Sequence, residues 1–256
     1  MKKKLLIGVL LVIACLAYFI LGGRKSSAPG NSSTPPNGQS SSSTTTPKDN
    51  FNKQTHPIDK AGSIWWIVSK VRPLEPLNYA PDDLVTPVVP LRANANSSEM
   101  RLREEPAAAL RAMVADAKKA GISLILVSGY RSYQLQVSVY NGYVQQYGQA
   151  GADKQSARPG TSEHQTGLAA DLGAANGKCE LEQCFADTSE GHWIADNAYN
   201  YGFILRYVSG KDAVTGYEYE PWHVRYVGKD LSMEMHKENI QTLEEFFGVV
   251  PASQPY

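Results

Sequence analysis

At 256 residues with 42% hydrophobic content, the chain can bury one good-sized core and still carry appendages. Its 25 Lys and Arg balance 25 Asp and Glu, so bulk electrostatics give no case for nucleic acid as a partner. Local patches could still meet an anionic polymer.

The first 25 residues do not read as part of the fold. Lys2, Lys3 and Lys4 precede an apolar run from Leu5 to Leu21. A signal-peptide core has about 7–15 apolar residues and a spanning helix about 17–25, and this run sits at the short end of the second range. No Ala-x-Ala site follows it. Residues 1–25 are therefore expected to be a membrane anchor or signal sequence, with an uncleaved anchor preferred. The three lysines would then face the cytoplasm and the remainder the outside, a bias that Arg24 and Lys25 weaken. Val12-Ile13-Ala14-Cys15 resembles a loose lipobox, but apolar residues continue past Cys15. A small apolar cysteine inside a membrane helix is the simpler reading. The expected location is a bacterial membrane, single-pass with the domain outside, the alternatives being a lipoprotein or a secreted protein.

Residues 26–57 are rich in Ser, Thr, Pro, Gly and Asn, too polar to offset ordering entropy, and read as a disordered tether. A single domain is expected over 58–250, with 251–256 as a tail. The β-prone stretch 63–71 predicts a strand stopped at Pro73. The Pro-rich residues 73–90 should form an extended arm over the core. Between Leu102 and Ala120, Leu110, Met113, Val114 and Ala117 recur at helical spacing, with Pro106 in the first turn. Residues 122–127 follow as a buried strand, leaving through Ser128-Gly129-Tyr130-Arg131-Ser132.

A second helix is expected from about Tyr133 to Tyr147, with Leu135, Val139, Tyr143 and Tyr147 on one face. Then come a strand over 168–172, a short helix over 192–201 ended at Gly202, and strands over 203–207 and 222–226. A last helix begins near Leu231 or Thr242. Helices first and an antiparallel sheet later argue an α+β domain, with N-terminal helices packed on a small antiparallel sheet. Cys179 and Cys184, close together and outside the membrane segment, fit a small disulfide loop better than half of a four-thiolate site.

The chemistry lies in two stretches. One is Ser162-Glu163-His164-Gln165-Thr166-Gly167-Leu168-Ala169-Ala170-Asp171; the other is Glu220-Pro221-Trp222-His223. His164 and Asp171 are too far apart for an i, i+4 helical pair, but could meet across a turn at Thr166-Gly167. Alone they could equally be a simple hydrogen bond. The second stretch adds a third ligand, His223, and a base, Glu220. Two His and one Asp around zinc leave a fourth position for water, the pattern of a catalytic site carried here by the sheet. Arg131, delivered at the end of a strand, could bind a substrate carboxylate or stabilise an oxyanion; a surface arginine in a solvated turn is the plain alternative. His56 at the tether edge, His192 at a helix start and His236 in solvent have no expected metal role.

These motifs, with Gln136, Arg158-Pro159-Gly160-Thr161, Tyr201-Gly202-Phe203-Ile204 and the run from Thr215 to Tyr226, resemble the VanY-type D-alanyl-D-alanine carboxypeptidases. These are zinc peptidases of bacterial cell-wall peptides. The resemblance spans roughly Trp66 to Phe247. It implies Zn2+ held by His164, Asp171 and His223, with Glu220 as general base and later proton donor. It implies Arg131 as the group that holds the substrate and steadies the tetrahedral state. Ser162 would hydrogen-bond the substrate, Gln136 would line the pocket, and Tyr130 and Trp222 would wall it. The implied reaction removes the terminal D-alanine from a peptidoglycan stem peptide ending in D-Ala-D-Ala. An L,D-carboxypeptidase, a wall endopeptidase or a non-catalytic wall-binding module are the alternatives. A tethered monomer is the default assembly.

Overall fold

The structure, a computed structural model, describes residues 51–249. The expected anchor, most of the expected tether and the tail from 251 lie outside the described residues, among which no helix is long and apolar enough to cross a membrane. The elements in chain order are β1 (Leu84–Val85), β2 (Leu102–Arg103), α1 (Glu104–Lys119), β3 (Leu124–Ser128) and α2 (Tyr133–Gln155). They continue with β4 (Ala169–Ala174), α3 (Ser189–Asn197), β5 (Phe203–Leu205), α4 (Asp212–Thr215), β6 (His223–Tyr226), α5 (Lys229–Glu238) and α6 (Leu243–Phe247). An α+β domain is what results. β3 falls between the first two helices, where the sequence placed a buried strand.

The central sheet is antiparallel throughout, in the order β3-β4-β6-β5. α1 forms where its four-residue spacing predicts, and Leu110, Met113, Val114 and Ala117 are buried in the core with Leu126, Leu172 and Val224 of the sheet. Glu104 and Glu105 at its start and Lys118 and Lys119 at its end complement the helix dipole, and Pro106 sits in its first turn. A second apolar cluster joins Ile67, Ile204 and Val227 to Leu231 and Met235 of α5 and Leu243 and Phe246 of α6. Both candidate starts for the last helix therefore belong to real helices.

Residues 63–71 do not form the expected strand. Trp66, Ile67 and Val68 are buried, but their backbone partners come from elsewhere. The Arg225 guanidinium donates to Ile64 O at 3.0 Å and Trp66 O at 2.8 Å, and Ile67 N donates to Ile58 O at 2.9 Å. A cation satisfies the carbonyls that a ladder would have used. Residues 51–57, expected to end the tether, pack on the domain instead. His56 is buried between Phe51 and Trp65, with Nε2 3.0 Å from Asp230 Oδ2. The arm over 73–90 behaves as predicted. It contributes β1 and is tied down by Gln165 Nε2, which donates to Leu77 O and Tyr79 O.

α2 runs further than predicted, to Gln155, and is broken by non-helical Gly148. Its buried residues are Gln136, Tyr140 and Ala152, whereas Tyr147 is exposed. Of the face predicted to be apolar, Leu135, Val139 and Tyr143 are half-buried, and Val139 and Tyr143 line a cleft.

Candidate active site

Strand register assembles the first pair. Asp171 of β4 lies directly opposite His223 of β6, so both side chains emerge on one face of the sheet. His164 sits in a single 3-10 turn over Glu163–Thr166 that ends at left-handed Gly167 and leads into β4. That turn returns its imidazole to the same face. Ligand atoms of His164, Asp171 and His223 lie within 4.8 Å of one another, and all three residues are buried.

Each imidazole is oriented from behind. His164 Nδ1–H donates to Gly129 O at 2.6 Å, which leaves Nε2 facing Asp171 Oδ2 at 3.3 Å. His223 Nε2–H donates to Glu163 Oε2 at 3.5 Å, which leaves Nδ1 facing Asp171 Oδ1 at 3.2 Å and Glu220 Oε2 at 3.6 Å. Outer hydrogen bonds of this kind fix tautomer and ring plane in metal-binding histidines. Asp171 Oδ1 is buried yet has no hydrogen-bond partner. A lone pair on each ring and an unsatisfied carboxylate oxygen converge on one point, a donor set that fits a divalent cation such as zinc.

The electrostatics agree. Burial would raise Asp171, but His164 and His223 hold it below the usual carboxylate range. Burial would lower His223, but Asp171 and Glu163 outweigh it and the ring is pushed up to about 9. His164 moves the other way, lowered chiefly by its burial. Glu220 is pushed up to about 7, by burial first, with His223 pulling against it. A carboxyl tuned to near neutrality and aimed at a cation site can both take and return a proton.

Gly129 explains why the Ser128–Ser132 segment can run so close. A Cβ there would lie 2.4 Å from Arg101 O, so only glycine fits. Arg131 leaves this segment into the cleft, where Nη1 donates to Gln136 Oε1 at 3.1 Å. Gln136 itself is fully buried, donating to Ser156 Oγ and Ala157 O. It therefore braces Arg131 from behind rather than lining the pocket. Tyr130 is likewise not a wall: it is buried outside the cleft lining, with Arg101 over its ring. Ser162 and Trp222 do line the cleft, and the Ser162 side chain does not cap the turn that follows it. The cleft encloses about 470 Å³. Cys179 and Cys184 are joined, and Leu181, Glu182 and Gln183 of their loop form part of its rim. His192 and His236 are exposed, away from the cleft.

Sequence reasoning missed the support beneath the site. Glu163 accepts from Arg206 Nε at 2.8 Å and Arg225 Nη1 at 2.7 Å, and Arg206 makes two further bonds to Glu244 at 2.8 and 2.6 Å. All four residues are buried. The signal was an arginine in each of two apolar stretches, Arg225 in β6 and Arg206 just past β5; Glu163 and Glu244 carried none.

A family model described as D-alanyl-D-alanine carboxypeptidase, VanY, matches residues 99–229. YodJ of Bacillus subtilis (strain 168), whose name describes a carboxypeptidase, is 46% identical over 172 residues, which are 67% of this chain and 63% of that one. The chain thus spans a little under two thirds of that relative's length. The solved LdcB LD-carboxypeptidase superposes with a TM-score of 0.70 at 44% identity, covering 74% of this chain and 88% of that one. A vancomycin resistance D,D-pentapeptidase from a VanB-type cassette, solved as a mutant with Zn(II), gives a TM-score of 0.57 at 28% identity, covering 70% and 96%.

Proposed function

This chain belongs to the VanY family of D-alanyl-D-alanine carboxypeptidases, and on that premise we propose that it is a zinc-dependent carboxypeptidase removing the terminal D-alanine from peptidoglycan stem peptides. The observation that carries this reading is the convergence of His164, Asp171 and His223 on one point, with Glu220 Oε2 3.6 Å from His223 Nδ1. A binding module would need no base tuned to near neutrality. His164 Nε2, His223 Nδ1 and Asp171 would hold the ion. When bound, it would lower the pKa of a water toward about 7 and polarise the scissile carbonyl.

The residues of the chain do the rest. Glu220 takes a proton from the attacking water as its oxygen bonds to the carbonyl carbon. The C–N bond then breaks, and Glu220 returns that proton to the leaving amine of D-alanine. Arg131, braced by Gln136, meets negative charge on the substrate, either its terminal carboxylate or the developing oxyanion. Ser162 offers its hydroxyl to the peptide, and Trp222 walls the cleft. No serine is acylated, so a labelled penicillin should leave the protein unlabelled.

A second reading, L,D-carboxypeptidase activity, is favoured by the 44% identity to a solved LD-carboxypeptidase. We propose further that the domain lies outside the cytoplasm, held at a bacterial membrane by residues 1–25, a reading that rests on the Lys2–Lys4 and Leu5–Leu21 pattern of the sequence. The deciding experiment follows D-alanine released from a stem pentapeptide and a tetrapeptide, with and without chelator. Chelator-sensitive release from the pentapeptide alone supports the D,D reading, release from the tetrapeptide supports the L,D reading, and release from neither overturns both.

A further inference from the structure

α2 turns the wrong face inward for a core helix. It buries Gln136 and Tyr140, each hydrogen-bonded, with Tyr140 Oη donating to Asp153 Oδ1 at 2.6 Å. Its apolar stripe of Val139, Tyr143 and Tyr147, spaced one turn apart, is half-buried at its first two members and exposed at Tyr147. Val139 and Tyr143 line the cleft, and Tyr147 continues the line beyond it with 54% of its surface exposed. The two tyrosine rings are stacked, 6.0 Å apart and 27° from parallel. Tyr147 is also fixed from below. The helix breaks at Gly148, and a Cβ on Gly151 would come 2.6 Å from Tyr147 Cβ, so glycine there lets the next turn close under the tyrosine. An apolar stripe that runs from a cleft wall to an exposed aromatic tip marks a surface kept for a ligand.

We propose that this stripe extends the cleft as a subsite for the sugar ring that carries the stem peptide, with Tyr147 as the stacking platform; the assignment rests on the stem-peptide reading above. The stem is long enough to run the length of the stripe. Four extended residues upstream of the scissile bond cover about 13 Å, and Val139 to Tyr147 spans about 12 Å along α2 at about 1.5 Å per residue. The chemistry also matches. A pyranose has an apolar C–H face edged by hydroxyls, and tyrosine has an apolar face with one hydroxyl at its tip. None of the three stripe residues carries a charge that would select an ionic side chain.

The test uses the full chain loaded with zinc and compares a disaccharide-linked stem peptide with the same peptide lacking the sugar. Wild type, Tyr147→Ala and Tyr147→Phe are assayed side by side, with unfolding midpoints as the control for folding. The alanine variant should raise KM for the disaccharide peptide about tenfold, as for loss of one aromatic contact, with kcat unchanged. Its KM for the free peptide should stay at the wild-type value, and the phenylalanine variant should behave as wild type on both. Unchanged KM for the disaccharide peptide overturns the proposal. Equal rises on both peptides also overturn it, because Tyr147 would then touch the peptide and not the sugar. Wild type that cleaves neither peptide defeats the stem-peptide reading itself and this subsite with it.

Discussion

Glu220 is a carboxylate whose proton affinity is set by where it sits. Burial in the cleft pushes it up to about 7 in metal-free protein, and a bound dication would draw it back down. A base must be ionised to act. The rate should therefore rise with pH through a limb at or below 7 and fall as acid protonates Glu220. Replacing it by alanine should cost about 10²–10⁴-fold in kcat while zinc content stays at one ion per chain by elemental analysis. Loss of zinc together with activity would instead make Glu220 a ligand. His164, Asp171 and His223 were legible because each carries chemistry in an otherwise apolar or glycine-rich setting. Glu163 was not, because an adjacent residue that holds His223 from behind has no spacing rule to betray it.

At the scale of elements, the sheet depends on charges buried beneath it. Glu163 bridges the 3-10 turn, β6 and Arg206 beyond β5, and Arg206 continues to Glu244 in α6. Removing one partner leaves a buried cation without compensation, so Glu163→Ala should destabilise by about 3–5 kcal/mol in a denaturant titration. Burial alone would raise the Glu163 carboxyl, but Arg206 and Arg225 hold it well below the usual range. The unfolded chain binds a proton near its ordinary value while the folded chain does not. This contribution is therefore complete above the ordinary carboxylate pKa and is lost as pH falls below it. A stability profile flat into acid would contradict it. The disulfide loop is a separate element. Cys179 and Cys184 enclose so short a loop that Cys179→Ser with Cys184→Ser should cost only about 2 kcal/mol by chain entropy. The expected fall in Tm is about 4–8 °C. A much larger fall would mean that the loop organises the core.

At the scale of the described domain, the candidate metal site and the fold should form together. The three ligand residues come from a turn and two strands, and His223 is distant from the other two in sequence. No such site exists in an unfolded chain, so binding free energy adds to folding free energy. At a free zinc concentration of 100 times Kd the gain is about 2.7 kcal/mol. A chelator should accordingly lower the unfolding midpoint, and zinc should restore it. A midpoint insensitive to both would mean that the cluster holds no ion.

The sequence by itself determined the α+β class, the course of α1, the extended arm, the close cysteine pair and the choice of His164, Asp171 and His223, which the fold brings together. These follow from local facts: periodicity, proline, and reactive side chains in short motifs. Only the tertiary structure decided that Ile64 and Trp66 give their carbonyls to Arg225, that Gln136 braces Arg131 from behind, and that α2 buries Gln136 and Tyr140 more deeply than its apolar stripe. Each of those outcomes depends on partners far away in sequence. Whether a backbone carbonyl, a guanidinium or a tyrosine ring is satisfied by protein or left for a ligand is settled only when those partners arrive.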